Sequence, residues 1–268
     1  MLEIARQCLA QGATLVYGGD LRPSGLTENL LDLVRHHNDA IHKVFNPVVN
    51  YLAWPLKSTL DTAWAAQNKD AIKIRHSDAP ADLKQAGLIK DIPAGGDISG
   101  ISAYLWARCL TAMREEIVEK TQARIMLGGK TLDYKGKYPG LVEEALLTLQ
   151  ANKPLYLLGG YGGMTQVIIQ ALLGQNPKTL TQDYQCADVG YQTLMEDYNL
   201  QIKEQQLAIE PIDYKGVSQT LADMGISGLN NGLKDEENLI LFSTVNMEEA
   251  VGLIMMGLAN LTNTSPQT

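Results

Sequence analysis

Two acidic residues in succession, Glu143 and Glu144, follow a loop that carries Lys130, Lys135, Lys137, Tyr134 and Tyr138, and glycine pairs flank the whole stretch at Gly128-Gly129 and Gly159-Gly160. Glycines at a strand end let backbone N–H groups come close to an anion, and the start of a following helix adds unpaired donors and a positive dipole end. Lysines there neutralise phosphate charge, arginine binds two oxygens at once, and a tyrosine ring stacks on a base. A carboxylate in the same place either assists the departure of a base from a ribose or accepts hydrogen bonds from ribose hydroxyls. Adjacent helical positions point about 100° apart, so at most one of Glu143 and Glu144 faces a ligand. The plain alternatives are a solvated loop for each lysine and helix-start acids that complement the dipole for the glutamates.

The elements around these residues read as strand, loop, helix, twice over. Ile125-Met126-Leu127 and Leu155-Tyr156-Leu157-Leu158 are apolar runs without alternation. Such runs suit strands covered on both faces, and the helical stretch between them supplies the crossover that parallel pairing requires. An earlier unit of the same kind has a strand over 13–17, the turn Gly18-Gly19-Asp20-Leu21-Arg22-Pro23-Ser24-Gly25 and a helix over 26–36 with Thr27 in its first turn. Asp20 and Arg22 are candidate ligand contacts there, a solvated turn being the alternative. Pro139-Gly140 opens the helix that holds the two glutamates. The ends of three parallel strands are thus expected to share the carboxyl edge of an open sheet, where ligands bind in folds of this type.

Further strands are expected over 48–52 and 71–75, and helices over 1–11, 58–68, 80–86 and 98–120, with a turn-rich linker at 93–96. Beyond 173 the chain turns polar and helical, over 182–206, 214–224, 235–242 and 246–261, and the polar tail 262–268 is expected to fray. The fold class is α/β, a Rossmann-like open parallel sheet with flanking helices, plus a mainly helical C-terminal part. We divide it into a nucleotide-binding domain at 1–175 and a helical extension at 176–268. A parallel sheet seldom opens on a helix, so a first strand ahead of Met1 is expected to be missing from this chain.

Composition narrows the function class. A net charge of −8 and a pI near 5.0 over 268 residues argue against non-specific binding to nucleic acid or to an anionic membrane. Cys8, Cys109 and Cys186 lie far apart with no CxxC spacing, which argues against a disulfide framework or a zinc site and fits a reducing cytoplasm. His36, His37, His42 and His76 lack metal-ligand spacing. No signal peptide or membrane span is expected. No serine sits in a GxSxG elbow and no loop reads GxGxxG, which removes a serine hydrolase and a dehydrogenase.

Three stretches together resemble the SLOG superfamily, the Rossmann-like group that includes the cytokinin-activating phosphoribohydrolases once called lysine-decarboxylase-like proteins. Residues 5–25 contain LVYGGDLRPSGL, similar to the family's strand and LVYGGG loop. Met113-Arg114 stands where the hydrolases carry an arginine in an RKxxM helix. ARIMLGG through PGLVEEA is similar to their PGGxGTxEE segment. The resemblance covers about residues 1–173. It departs from the hydrolases in the longer loop 128–141, which puts Leu141 at the threonine position, and in lacking the family's first strand with its Gly-Ser ligand loop.

In that pattern the chain is closest to SLOG domains found beside TIR or sirtuin-like NADases in bacterial antiphage systems, whose relatives bind signals such as cyclic ADP-ribose. The resemblance implies a sensor for an NAD- or ADP-ribose-derived nucleotide, acting on an NADase effector in the same or another chain, in a homo-oligomer. Taken with the chemistry of the loops set out above, it makes candidate ligand contacts of Gly18, Gly19, Asp20, Arg22, Thr27, Arg114, Gly128, Gly129, Lys130, Tyr134, Lys137, Pro139, Gly140, Glu143, Glu144, Gly159 and Gly160. No metal and no fixed cofactor are implied. The alternative is a phosphoribohydrolase or N-glycosidase on a nucleotide or NAD-like substrate, with Glu144 and Arg114 as its catalytic residues.

Overall fold

A computed structural model of the chain describes residues 1–19, 21, 25–41, 47–90, 92–93, 95–207 and 209–264. The chain forms two compact units, Met1–Glu119 and Lys120–Thr268.

In the first unit the order is α1 (Leu2–Ala10), β1 (Leu15–Gly18), α2 (Leu26–Ile41), β2 (Val48–Leu52), α3 (Thr62–Asn68), β3 (Ile72–His76), α4 (Ala81–Gln85) and α5 (Ala103–Lys120), whose last residue falls in the second unit. The three strands pair in parallel in the order β1-β2-β3, with Leu15 opposite Val48 and Val48 opposite Ile72. Side chains alternate across a strand, so the two faces of this sheet build two cores. Val48 and Ile72 pack with Ala5, Leu9, Leu30, Leu31 and Val34 of α1 and α2, while Tyr51 and Ala53 pack with Met113 and Ile117 of α5.

The second unit holds β4 (Arg124–Leu127), α6 (Gly140–Gln150), β5 (Leu155–Leu158), α7 (Gly163–Leu172), α8 (Gln182–Gln185), α9 (Val189–Glu204), α10 (Tyr214–Met224), α11 (Asp235–Ser243) and α12 (Met247–Thr264). β4 and β5 pair in parallel, with Arg124 opposite Leu155. All four residues of β5 are fully buried, as its apolar run requires; each leucine so buried contributes about 2 kcal/mol. α10 packs on α7, and α11 on β5 and on the turn after it. The buried Tyr156 hydroxyl donates to the carbonyl of Asn231 at 2.7 Å, and the Asn231 amide bonds Leu155 and Asn238. These bonds tie the C-terminal helices to the strand.

The parallel sheets flanked by helices bear out the Rossmann-like class and its helical C-terminal part, but among the described residues the one open sheet expected to carry all three glycine turns is two: β1 lies in one sheet, and β4 and β5 in the other. The five strands stand within a residue or two of their expected places. Three helices are shorter than periodicity alone predicts, for one reason: a polar side chain caps a later start, and Ser102, accepting the Leu105 N–H at 3.2 Å, begins α5 at Ala103 rather than at 98. Asp61 accepts the N–H groups of Ala63 and Trp64 at 2.8 and 3.1 Å, and Asp188 accepts that of Tyr191 at 3.0 Å, so each restarts a helix inside what reads as one amphipathic run. Of the tail, residues 262–264 continue α12 and 265–268 lie outside the described residues. Among the described residues no helix is long and apolar enough to cross a membrane.

Candidate functional site

In the first unit the glycine pair at the end of β1 separates into two roles. A Cβ on Gly18 would lie 2.6 Å from the Met113 methyl and 3.0 Å from Ile117, so this glycine lets α5 close onto the strand. Gly19 has φ +155°, and among the described residues nothing lies within 4 Å of where a Cβ would stand, so here glycine is required by conformation. Its N–H donates to the Tyr51 carbonyl at 3.2 Å, and its carbonyl accepts from Asn50 Nδ2 at 3.4 Å.

Thr27, buried in the first turn of α2, shares a 2.7 Å hydrogen bond with the Tyr17 hydroxyl. Burial pushes the Tyr17 pKa up. Asn50 is fully buried in β2, and its Oδ1 has no hydrogen-bond partner among the described residues. Tyr17 and Asn50 were not among the candidates read from sequence, although an asparagine inside the apolar run VVNYL is a visible signal for one. Arg114 is buried in α5. Asp20 and Arg22 lie outside the described residues.

In the second unit the two glycine turns are bonded to each other. The N–H groups of Met164 and Thr165, in the first turn of α7, donate to the carbonyls of Gly129 and Gly128 at 3.1 and 2.8 Å. Sequence reading left those donors open for an anion; the fold pairs them with backbone. A Cβ on Gly159 would stand 2.3 Å from the Phe242 carbonyl oxygen, and one on Gly160 2.1 Å from that of Thr244. These glycines let the end of α11 settle on the end of β5. Gly129 and Lys130 are exposed, and the Lys130 ammonium pairs with Asp133 at 3.0 Å.

The loop between β4 and α6 is held by a cluster of four tyrosines. Tyr134 packs against Tyr191 with ring centroids 5.0 Å apart, and Tyr138 meets Tyr214 edge-on at 5.3 Å. The Tyr134 hydroxyl donates to Gln185 Oε1 at 2.8 Å and lies 2.8 Å from that of Tyr214, which donates to Tyr191 at 2.7 Å; Tyr191 in turn donates to the Lys137 carbonyl. Gln185 also donates to the Thr131 carbonyl at 3.1 Å, and the Asp213 N–H donates to the Tyr138 hydroxyl at 2.8 Å. Both loop tyrosines are therefore engaged by side chains far along the chain, and the Lys137 ammonium sits 5.4 Å from the Tyr138 ring centre.

Burial pushes Tyr134 and Tyr138 up to about 12 and raises Tyr191 and Tyr214 further. A raised folded-state value means stability that is complete below the unfolded value near 10 and lost as pH rises toward 12. Stability is expected to fall steeply between about pH 10 and 12, which urea titrations repeated across that range would measure.

Pro139 and Gly140 open α6 with no side-chain cap. On that helix the two glutamates diverge as the 100° rule demands. Glu143 is 2% exposed. Glu144 accepts from Arg124 Nη1 at 2.5 Å, with both side chains mostly buried. Glu144→Gln is expected to cost about 1–2 kcal/mol, whereas Arg124→Met with Glu144→Leu should recover most of it, because a pair replaced whole leaves no charge unmatched. Urea titrations of the single and double variants measure both quantities.

A model of SLOG cluster2 matches residues 1–241. The chain belongs to this SLOG family. The match runs from α1 past residue 175 and into α11, so it takes in the helices that clamp the loop and cover β5. No curated protein and no solved structure matches the chain. For a SLOG chain with this fold the coarse functional class is a nucleotide-related binding domain.

Proposed function

We propose that this SLOG protein binds an NAD- or ADP-ribose-derived nucleotide, such as cyclic ADP-ribose, and uses it to control an effector in antiphage defence without turning it over. The observation that carries the reading is Gly19. At the end of a parallel strand in a SLOG chain, it keeps φ +155° with no described residue within 4 Å of its Cβ position, a backbone that a phosphate can approach closely. Gly18, Asp20, Arg22, Thr27 and Arg114 are the proposed contacts of that unit. In the second unit, Tyr134, Glu143, Glu144, Gly159 and Gly160 are taken up by the packing of the fold itself, and Gly128, Gly129, Lys130, Lys137, Pro139 and Gly140 are the residues of the set read from sequence that remain candidates there.

Binding is favoured over hydrolysis because Glu144, the carboxylate a phosphoribohydrolase would use, is bonded to Arg124 at 2.5 Å. The same reading has the protein in the cytoplasm as a homo-oligomer, with a TIR or sirtuin-like NADase as its effector and no membrane or nucleic-acid partner. Mass spectrometry of small molecules released from denatured purified protein tests it: a nucleotide of the ADP-ribose class is expected, and an unrelated cofactor in its place would overturn the proposal.

A further inference from the structure

β3 is an edge strand: it pairs with β2 on one side, and among the described residues no strand pairs with its other side. The Ser77 N–H donates to the Leu52 carbonyl at 3.0 Å, which continues a ladder in which the odd-numbered residues of this segment bond β2. In a parallel ladder the alternate residues direct both N–H and C=O outward, so Ile72, Ile74 and His76 present theirs along the open side. An unpaired edge of this kind is a template for another strand.

The edge is not flush with the surface. A groove of about 390 Å³ runs along it, lined by Ala65 and Lys69 of α3 and its margin together with Ile72, Lys73, Ile74 and Arg75. Ile72, Ile74 and Ala65 are buried or half-buried and make an apolar floor, while Lys69, Lys73 and Arg75 are exposed. Three cations around one groove stand out on a chain with a net charge of −8. Lys73 and Arg75 share the sheet face opposite to that of Ile72 and Ile74.

We propose that this edge receives an acidic extended segment of a partner protein, which adds to the sheet as a further strand beside β3. Cross-strand pairs of opposite charge stabilise a ladder and like pairs oppose it. The incoming strand therefore alternates, with carboxylates on the face of Lys73 and Arg75 and apolar side chains on the face of Ile74 and Ala65. A second copy of this chain is disfavoured, since joining two such edges would set Lys73 and Arg75 against their own duplicates. The same cations that guard the edge against self-pairing thus select its partner. This inference stands apart from nucleotide binding.

Fluorescence anisotropy on the full-length protein tests it, with a labelled peptide of alternating glutamate and valine about eight residues long. Saturable binding is expected that weakens with salt, falls at least tenfold in Lys73→Glu with Arg75→Glu, and is lost when a central valine of the peptide is replaced by proline. The charge-reversed variant, verified as folded by circular dichroism, should instead bind the matching lysine-valine peptide. No binding of the acidic peptide would overturn the proposal. So would equal binding of the proline peptide, or stronger binding of a single-stranded oligonucleotide, because either result would make the groove a general anion surface.

Discussion

Replacing Gly160 by alanine is expected to lower the stability of the protein by about 3 kcal/mol, the range of forced overpacking in a closed core. The added methyl group would stand 2.1 Å from the Thr244 carbonyl oxygen and 2.7 Å from its carbon. Backbone atoms cannot swing aside as the end of a long side chain can, so the end of α11 must move away from β5. Gly19 is the internal control. A Cβ there meets none of the described residues within 4 Å, so Gly19→Ala is expected to cost the strain of its φ, about 1–2 kcal/mol. Thermal or urea unfolding of the two variants should rank them in that order. An equal loss would mean that α11 does not close over the glycine turn.

The tyrosine cluster gives the second large effect. Tyr214 contacts the hydroxyls of both Tyr134 and Tyr191 and packs its ring against Tyr138. Three hydroxyl protons serve four close contacts in the chain from Gln185 to Lys137, so Tyr134 donates to Gln185 or to Tyr214 but not to both at once. Tyr214→Phe keeps the ring and removes the bridge, and about 1–2 kcal/mol should go with it. Tyr214→Ala also empties a buried site and should cost about 4 kcal/mol. Hydrogen exchange is expected to rise in residues 130–138 before it rises in β5, because the bonds lost are those that hold the loop. Uniform exchange across the unit would show that the cluster is ordinary core and not a clamp on this loop.

Much of the architecture was legible because it is written in local pattern. Leu155-Tyr156-Leu157-Leu158 without alternation means a strand buried on both faces, and every one of those residues is buried. The helix breaks at Asp61 and Asp188 were harder, since a capping aspartate is one residue inside a continuous amphipathic period. What local pattern does not carry is the identity of distant partners. Tyr134 reads as a base-stacking ring because its neighbours in sequence are lysines and glycines, whereas its packing partner Tyr191 and its hydroxyl contact Tyr214 come from α9 and α10. Gly159 and Gly160 read as an anion cradle for the same reason. Their glycine requirement arises from Phe242 and Thr244, which no short motif links to them. Glu144 likewise looks available until Arg124, on the neighbouring strand, is seen to hold it.

At the first glycine pair, pattern and structure agree more closely. Gly19 has a backbone conformation that favours glycine, no described residue crowds its Cβ position, and Thr27 stands in the first turn of the helix that follows. Asn50 donates to the Gly19 carbonyl, and its Oδ1 has no partner among the described residues.

Isothermal calorimetry of the purified, ligand-stripped protein with ADP-ribose and cyclic ADP-ribose tests the central claim most directly. The account predicts saturable heat with at least one of them, with the nucleotide recovered intact afterwards. Absence of heat with every nucleotide of this class, or recovery of a released base, would contradict it.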